Sequence, residues 1–182
     1  MANLIYNVIM SLDGFTTDAT GSFEWAAPDD EVHAFVNDLV RPVGTYLYGR
    51  RMYETMRWWE TALEEPGLHP VAQDFARIWL SADKIVYSRT LEEAVTRKTR
   101  IERELAPDAV RRLKQELRHD LAIGGPQLAA EVIKAGLVDD YQLILVPHVA
   151  GGGNRALPEG ATIPLRLVDE RRFAGGFVFL RY

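Results

Sequence analysis

The stretch Asp120 to Ala129, DLAIGGPQLA, places two adjacent glycines, Gly124 and Gly125, then Pro126 and Gln127, between an apolar run and a helical pattern. A turn of this kind allows close backbone approach and leaves N–H groups pointing outward at a helix start, which is the chemistry that holds a phosphate or a dinucleotide. A purely structural turn has the same composition, so both readings stand for this pair alone. Three other junctions carry reactive or charged residues after an apolar run. Gly49-Arg50-Arg51-Met52 combines backbone N–H groups, a helix dipole and guanidinium donors at one point and so suits a phosphate, against the alternative of a solvated basic helix start. Ser88-Arg89-Thr90 brings a cation and two hydroxyls, which fit a ribose 2'-phosphate or simply form a polar turn. Ser11-Leu12-Asp13-Gly14 offers a carboxylate in a loop, either as a turn former or as a functional group. Asp29, Asp30 and Glu31 stabilise a helix N-terminus, yet one of them beside Trp25 can anchor a heterocycle.

Other chemistries are excluded by what the chain lacks. The four histidines, His33, His69, His119 and His148, show neither HxxxH nor HxH spacing, so no metal site is expected. No serine stands in a GxSxG context. There are no cysteines, which excludes disulfides, thiolate zinc sites and cysteine nucleophiles and makes a cytoplasmic protein the expectation. A formal charge of -5 over 182 residues speaks against a general nucleic-acid binder. The start, MANLIYNVIMSLDG, turns polar too soon for a signal peptide or a membrane span. With 47% hydrophobic residues the chain suffices for one domain, residues 1–182, with a sizeable core.

The elements that must position these junctions alternate between strand and helix. Leu4 to Met10 is apolar on both parities, as a strand buried on both faces requires. A polar loop from Phe15 to Pro28 should lie over its end. A helix follows from Pro28, with Val32, Phe35, Val36 and Leu39 on one face, and stops before Pro42. Thr45 to Tyr48 reads as a strand leading into a helix after Gly49, Pro70 opens another helix, and Lys84 to Tyr87 is a third strand. A short strand is expected near Thr99 to Ile101, then a helix from Pro107. The strand before Gly124 enters a helix running from about Gln127 to Gly136, and Tyr141 to Pro147 is again strand. Two closing strands, Leu165 to Val168 and Phe177 to Tyr182, joined by a turn at Ala174-Gly175-Gly176, have no helix between them and should pair antiparallel. Trp58 and Trp59 suit the core or a dimer contact better than a stacking platform for bases.

Taken in order, Ser11-Leu12-Asp13-Gly14, Tyr48-Gly49-Arg50-Arg51-Met52-Tyr53-Glu54, Ser88-Arg89 and Ile123-Gly124-Gly125-Pro126 resemble the dihydrofolate reductase superfamily. Gly136-Leu137-Val138-Asp139-Asp140-Tyr141 and Pro147 with the following glycines resemble more closely the C-terminal reductase domain of the bifunctional riboflavin-biosynthesis deaminase-reductase. The resemblance implies a three-layer α/β fold, mostly parallel with antiparallel C-terminal strands, and an oxidoreductase that binds NADPH. It implies that Gly49, Arg50, Arg51, Met52, Ser88, Arg89, Gly124, Gly125, Pro126 and Gln127 hold the cofactor, with a cis bond between Gly124 and Gly125. The family's Trp-x-x-Pro-x-Asp spacing, present as Trp25, Pro28 and Asp30, makes Trp25 and Asp30 substrate-binding candidates. Asp30 is then the first choice for proton delivery and Asp13 the second, with the Phe15 to Trp25 loop closing over a small-molecule substrate. Dimers are common among related domains, so a homodimer is expected. Where the family's pterin pocket calls for apolar and aromatic residues, Glu31 and Ala34 stand instead. True dihydrofolate reductase activity is therefore the alternative, and an NADPH-binding module without turnover a second one.

Overall fold

The structure, a computed structural model, describes residues 1–182. Its strands are β1 (Leu4–Ser11), β2 (Val43–Gly49), β3 (Asp83–Tyr87), β4 (Thr99–Glu102), β5 (Asp120–Gly124), β6 (Asp140–Val146), β7 (Asp169–Arg172) and β8 (Val178–Arg181). The helices are α1 (Asp30–Val40), α2 (Arg50–Met56), α3 (Pro70–Ser81), α4 (Pro107–Glu116) and α5 (Pro126–Lys134). All eight strands form one sheet in the order β4-β3-β2-β5-β1-β6-β8-β7, parallel from β4 to β6 and antiparallel at β8 and β7.

Alternation along the central strands explains the three layers. Leu4, Tyr6, Val8 and Met10 of β1 face the side covered by Val110 of α4 and by Ala129, Val132 and Ile133 of α5. Ile5 turns to the other side, where Val40, Tyr46, Tyr48, Ile78 and Trp79 pack from α1, β2 and α3. A strand buried on both faces must be apolar at both parities, and burying such side chains stabilises each by roughly 1.5–3 kcal/mol. Pro70 and Pro107 each start a helix where a missing N–H costs nothing, and Asp29 caps α1 by accepting from the Val32 amide at 2.9 Å.

The C-terminal hairpin departs from the sequence expectation. Leu165 to Val168 is not a strand, and the strand that pairs with β8 is Asp169–Arg172. Register there is set by the tight turn, in which the Phe173 amide donates to the Phe177 carbonyl at 3.0 Å and the Gly176 amide to the Phe173 carbonyl at 3.1 Å. Counting back from that turn puts the charged DERR segment opposite β8 and leaves the apolar Leu165, Leu167 and Val168 exposed beside it. Trp59 packs on Phe75 with ring centroids 4.6 Å apart, whereas Trp58 remains largely exposed.

Lys84 is a buried cation in the core. Its Nζ lies 4.1 Å from the centre of the Trp79 ring and has a single hydrogen bond, to the Trp79 carbonyl at 3.4 Å. Burial lowers its pKa to about 8. The fold thus favours the neutral amine, so this penalty is fully present below about pH 8 and is relieved as the pH rises toward 10.5, the unperturbed value. Replacing it with a neutral side chain of similar length, Lys84→Met, is expected to raise the melting temperature at pH 7, with the gain shrinking between pH 8 and 10. Equal melting temperatures at pH 7 would contradict this account of Lys84.

Candidate active site

Parallel pairing sends the carboxyl ends of β3, β2, β5 and β1 to one edge of the sheet, so the four junctions singled out above lie side by side. Tyr48 is level with Gly124 across the β2–β5 pair, and Gly49 with Tyr87 across β2–β3. The approach is close. A Cβ on Gly124 would stand 2.9 Å from the Tyr48 ring and 3.3 Å from the Met52 methyl, and one on Gly125 would stand 3.5 Å from Met52 Cβ. Gly49 faces Leu128 of α5 in the same way at 3.8 Å. The starts of α2 and α5 therefore abut, with Met52 as the wedge between them. The Gly124-Gly125 bond is trans, which corrects the cis expectation. Gly125 makes the turn with φ 92° and ψ 118°, a left-handed conformation open to glycine, and the chain reverses without a cis bond.

The charged groups around this seam are partly committed. Arg50 pairs with Glu54 at 2.7 Å and donates to Thr90 Oγ1 at 2.8 Å, tying α2 to the turn after β3. Arg51, on the same first turn, carries no ion pair. Arg89 meets Glu104 at 3.2 Å across an exposed gap. Ser88 is buried, and its Oγ accepts from the Thr90 and Leu91 amides at 3.3 and 3.0 Å, so its oxygen already caps the turn.

Asp13 holds the loops together. Its carboxylate accepts from Ser11 Oγ at 2.6 Å and from the Ala150 and Gly151 amides at 2.9 and 2.8 Å. The Ser11 hydroxyl first, and then these amides, lower its pKa to about 2. It is thus an ionised pin for the loop after β6. The geometry argues against its use as a proton donor. Beyond it, the Thr16 amide donates to the Asn154 carbonyl at 2.8 Å, the Ala156 amide to the Gly14 carbonyl at 2.9 Å, and Phe15 bridges to Arg155. Gly153, at φ 122°, lies so close to the Thr17 carbonyl that any side chain would collide with it. The first three residues of the Phe15 to Trp25 loop are thus paired with the segment after β6.

Trp25 stacks on His148 with centroids 4.9 Å apart and planes 18° from parallel, beside the end of β1, where the Leu12 amide donates to the His148 carbonyl at 2.8 Å. Asp30 opens α1 with its carboxylate exposed and 3.4 Å from His69 Nδ1. A cleft of about 310 Å³ lies over the start of α5, lined by Pro126, Gln127, Asn154, Arg155 and Glu159 among others. Arg155 is held there by Glu159 at 2.7 Å. Sequence reasoning does not reach His148, Asn154 or Arg155. The Gly151-Gly152-Gly153 run signals a close approach, but its partner is 138 residues away in the case of Asp13 and Gly151. No cluster of His, Asp and Glu side chains could hold a metal ion, and no helix is long and apolar enough to cross a membrane.

A mostly parallel sheet of this order, with glycine turns and basic groups along one carboxyl edge, defines a dihydrofolate-reductase-like α/β reductase fold. The chain belongs to the RibD C-terminal domain family, which residues 2–179 match. It is 27% identical to YyaP, an uncharacterized protein of Bacillus subtilis (strain 168), over 98% of this chain and 93% of that protein. Among solved structures, a putative riboflavin biosynthesis protein from Shewanella sp. PV-4 superposes with a TM-score of 0.74 at 20% identity, covering 100% of this chain and 98% of that one. RibD of Acinetobacter baumannii superposes with a TM-score of 0.72 at 16% identity, and the chain spans 57% of its length. A deaminase and 5-amino-6-(5-phosphoribosylamino)uracil reductase from Thermotoga maritima gives 0.67 at 13% identity, with 56% of its length spanned. These structural likenesses show the fold.

The pinning role of Asp13 is directly measurable. Since its pKa is lowered from 3.8, the stabilisation is fully present above pH 3.8 and is lost as the pH falls through about 2. In Asp13→Asn one carboxylate oxygen becomes an NH₂ group, a donor only, so one of the two acceptors that hold the Ala150 and Gly151 amides is lost. Hydrogen exchange of the Ala150 and Gly151 amides should then accelerate by about tenfold or more while exchange in β1 and β5 is unchanged. Unaltered protection of those two amides would show that the loop is held by other bonds.

Proposed function

We propose that this protein is an NADPH-dependent reductase that transfers hydride to a C=N or C=O bond of a small heterocycle or related compound. The observation that carries this reading is the seam where the Gly49 and Gly124-Gly125 turns abut. It is reinforced by membership in a family whose solved relatives include a uracil-type reductase. The residues present fit the cofactor. Glycine at 49, 124 and 125 keeps the backbone bare, and α5 has nine residues with its N-terminus open to the cleft. The cationic set of Arg50, Arg51 and Arg89 supplies donors for a pyrophosphate and a ribose 2'-phosphate. Gly49, Met52, Gly124, Gly125, Pro126 and Gln127 would line the pyrophosphate, with Ser88 and Arg89 near the adenosine end.

Bound NADPH would supply the hydride. The chain's own contribution is to position the reacting groups, to exclude water and to handle the proton. Trp25, backed by His148, offers an aromatic wall for a planar substrate at the end of β1. Asp30 is preferred over Asp13 for anchoring the substrate and relaying the proton, because its carboxylate meets only His69 whereas both Asp13 oxygens are committed. Glu31 stands where the family's pterin pocket calls for an apolar residue. That side chain is bound to Arg171 and to the Ala174 amide, and so belongs to the hairpin rather than to a pocket wall.

Ligand-dependent melting tests the cofactor. NADPH at a hundredfold excess over its dissociation constant should add about 2.7 kcal/mol, raising the melting temperature by roughly 5–10 °C for a chain of this size. NADH should give less, and no shift with either at millimolar concentration would sink the proposal. Turnover is tested by loss of NADPH absorbance across pterins, pyrimidines and aldehydes, where Asp30→Asn should lower the rate by about 100-fold or more. An Asp30→Asn enzyme as fast as the wild type would remove Asp30 from proton delivery. Cofactor binding with no turnover on the whole panel would favour a binding module.

A further inference from the structure

The turn after β3 is the least protected of the four junctions, since it lies toward the edge of the sheet with only β4 beyond it. Its order depends on a residue outside the turn. Arg103, the first residue after β4, donates from a single guanidinium nitrogen, Nη1, to the Ser88 carbonyl at 3.0 Å and to the Leu91 carbonyl at 2.7 Å. Those two carbonyls bracket Arg89 and Thr90. The Ser88 amide also donates to the Glu102 carbonyl at 2.9 Å, which extends the β3–β4 ladder into the turn. Arg50 reaches across to Thr90 Oγ1, so the turn is tied on one side to β4 and on the other to α2.

We propose that Arg103 is the positioning residue for discrimination between dinucleotides with and without a ribose 2'-phosphate. This rests on the reading of the Ser88-Arg89-Thr90 turn as the 2'-phosphate site. Two unengaged backbone carbonyls on this turn would repel an incoming phosphate, and Arg103 engages both and offsets their dipoles. With the carbonyls engaged, the Thr90 and Leu91 amides remain gathered on Ser88 Oγ, and Arg89 projects into solvent at 80% side-chain exposure. Its only ion pair is the exposed one with Glu104, a contact weak enough for a phosphate to displace. The exit of β4 thus supplies adjacent residues of opposite effect: Arg103 orders the turn, and Glu104 competes with the phosphate for Arg89.

The test compares calorimetric affinities for NADPH and NADH, and for 2',5'-ADP and 5'-ADP as probes of the adenosine end alone. Wild type, Arg103→Ala, Arg103→Lys and Glu104→Gln are each measured. The wild type should prefer the 2'-phosphorylated member of each pair by about tenfold or more, the scale of one charge-assisted contact. Arg103→Ala should reduce that preference by about fivefold with 5'-ADP affinity nearly unchanged, and Arg103→Lys should restore part of it. Glu104→Gln should increase the preference by freeing Arg89. An unchanged ratio in Arg103→Ala, or an equal loss of affinity for both members of a pair, overturns the proposal while leaving NADPH binding in place. Failure of the wild type to bind any of the four probes overturns the cofactor reading itself, and this proposal with it.

Discussion

The close approach of Gly124 to Tyr48 and Met52 governs how the rest of the molecule is arranged. It requires β2 and β5 to be adjacent, parallel and in a register that puts Tyr48 level with Gly124, and it requires the helix after Gly49 to lean toward the helix after Gly125. A methyl group at position 124 would push the Tyr48 ring away, and Tyr48 is stacked in turn on Tyr46 at 5.4 Å, within the core formed with α3. Packing at interior density leaves no slack to absorb such a shift. The two glycine turns, their outward amides and the arginines beside them are thereby held in one place by the apolar core beneath.

A second set of constraints closes the other side of the edge. The Asp13 carboxylate and the backbone pairs from Gly14 to Ala156 join two loops distant in sequence, and Tyr6 extends the same seam by donating to the Ala156 carbonyl at 2.5 Å. Each bond satisfies a polar group that would otherwise be stranded near the sheet. The result is a rigid floor of strands and turns with a rim secured by an ionised aspartate. Trp25, stacked on His148, faces that rim.

Most of the framework was legible because it follows from periodicity and from turn chemistry. β1, apolar at both parities, could only be a central strand, and Pro70 and Pro107 mark helix starts by what they lack. The junctions at Gly49, Ser88 and Gly124 stood out because each sets glycine, hydroxyl or basic residues directly after a strand, although a structural turn has the same composition. Less legible were features that depend on where a partner lies. Leu165 to Val168 looks like a strand by composition, but register is counted from the Phe173 to Phe177 turn and falls on the charged residues beyond it. Asp13 reads in sequence as a turn former or as an acid, and its three donors show it to be a pin. The clamp on the Ser88 turn comes from Arg103, one arginine among many in a charged stretch without clear periodicity.

By itself the sequence determined the alternation of strands and helices up to β6, the two-sided burial of the central strands, and the four junctions rich in glycine, hydroxyl and charged residues. These are local properties, set by side-chain alternation, by proline and glycine, and by charge near helix ends. Tertiary structure alone decided that the Gly124-Gly125 turn uses a left-handed glycine with a trans bond, that Asp13 is a pin, and that Asp30 meets His69 in the open. It also decided that the turn bearing Arg89 is held from β4. Each of these depends on a distance between residues far apart in the chain, and such distances exist only once the sheet has brought its edges together.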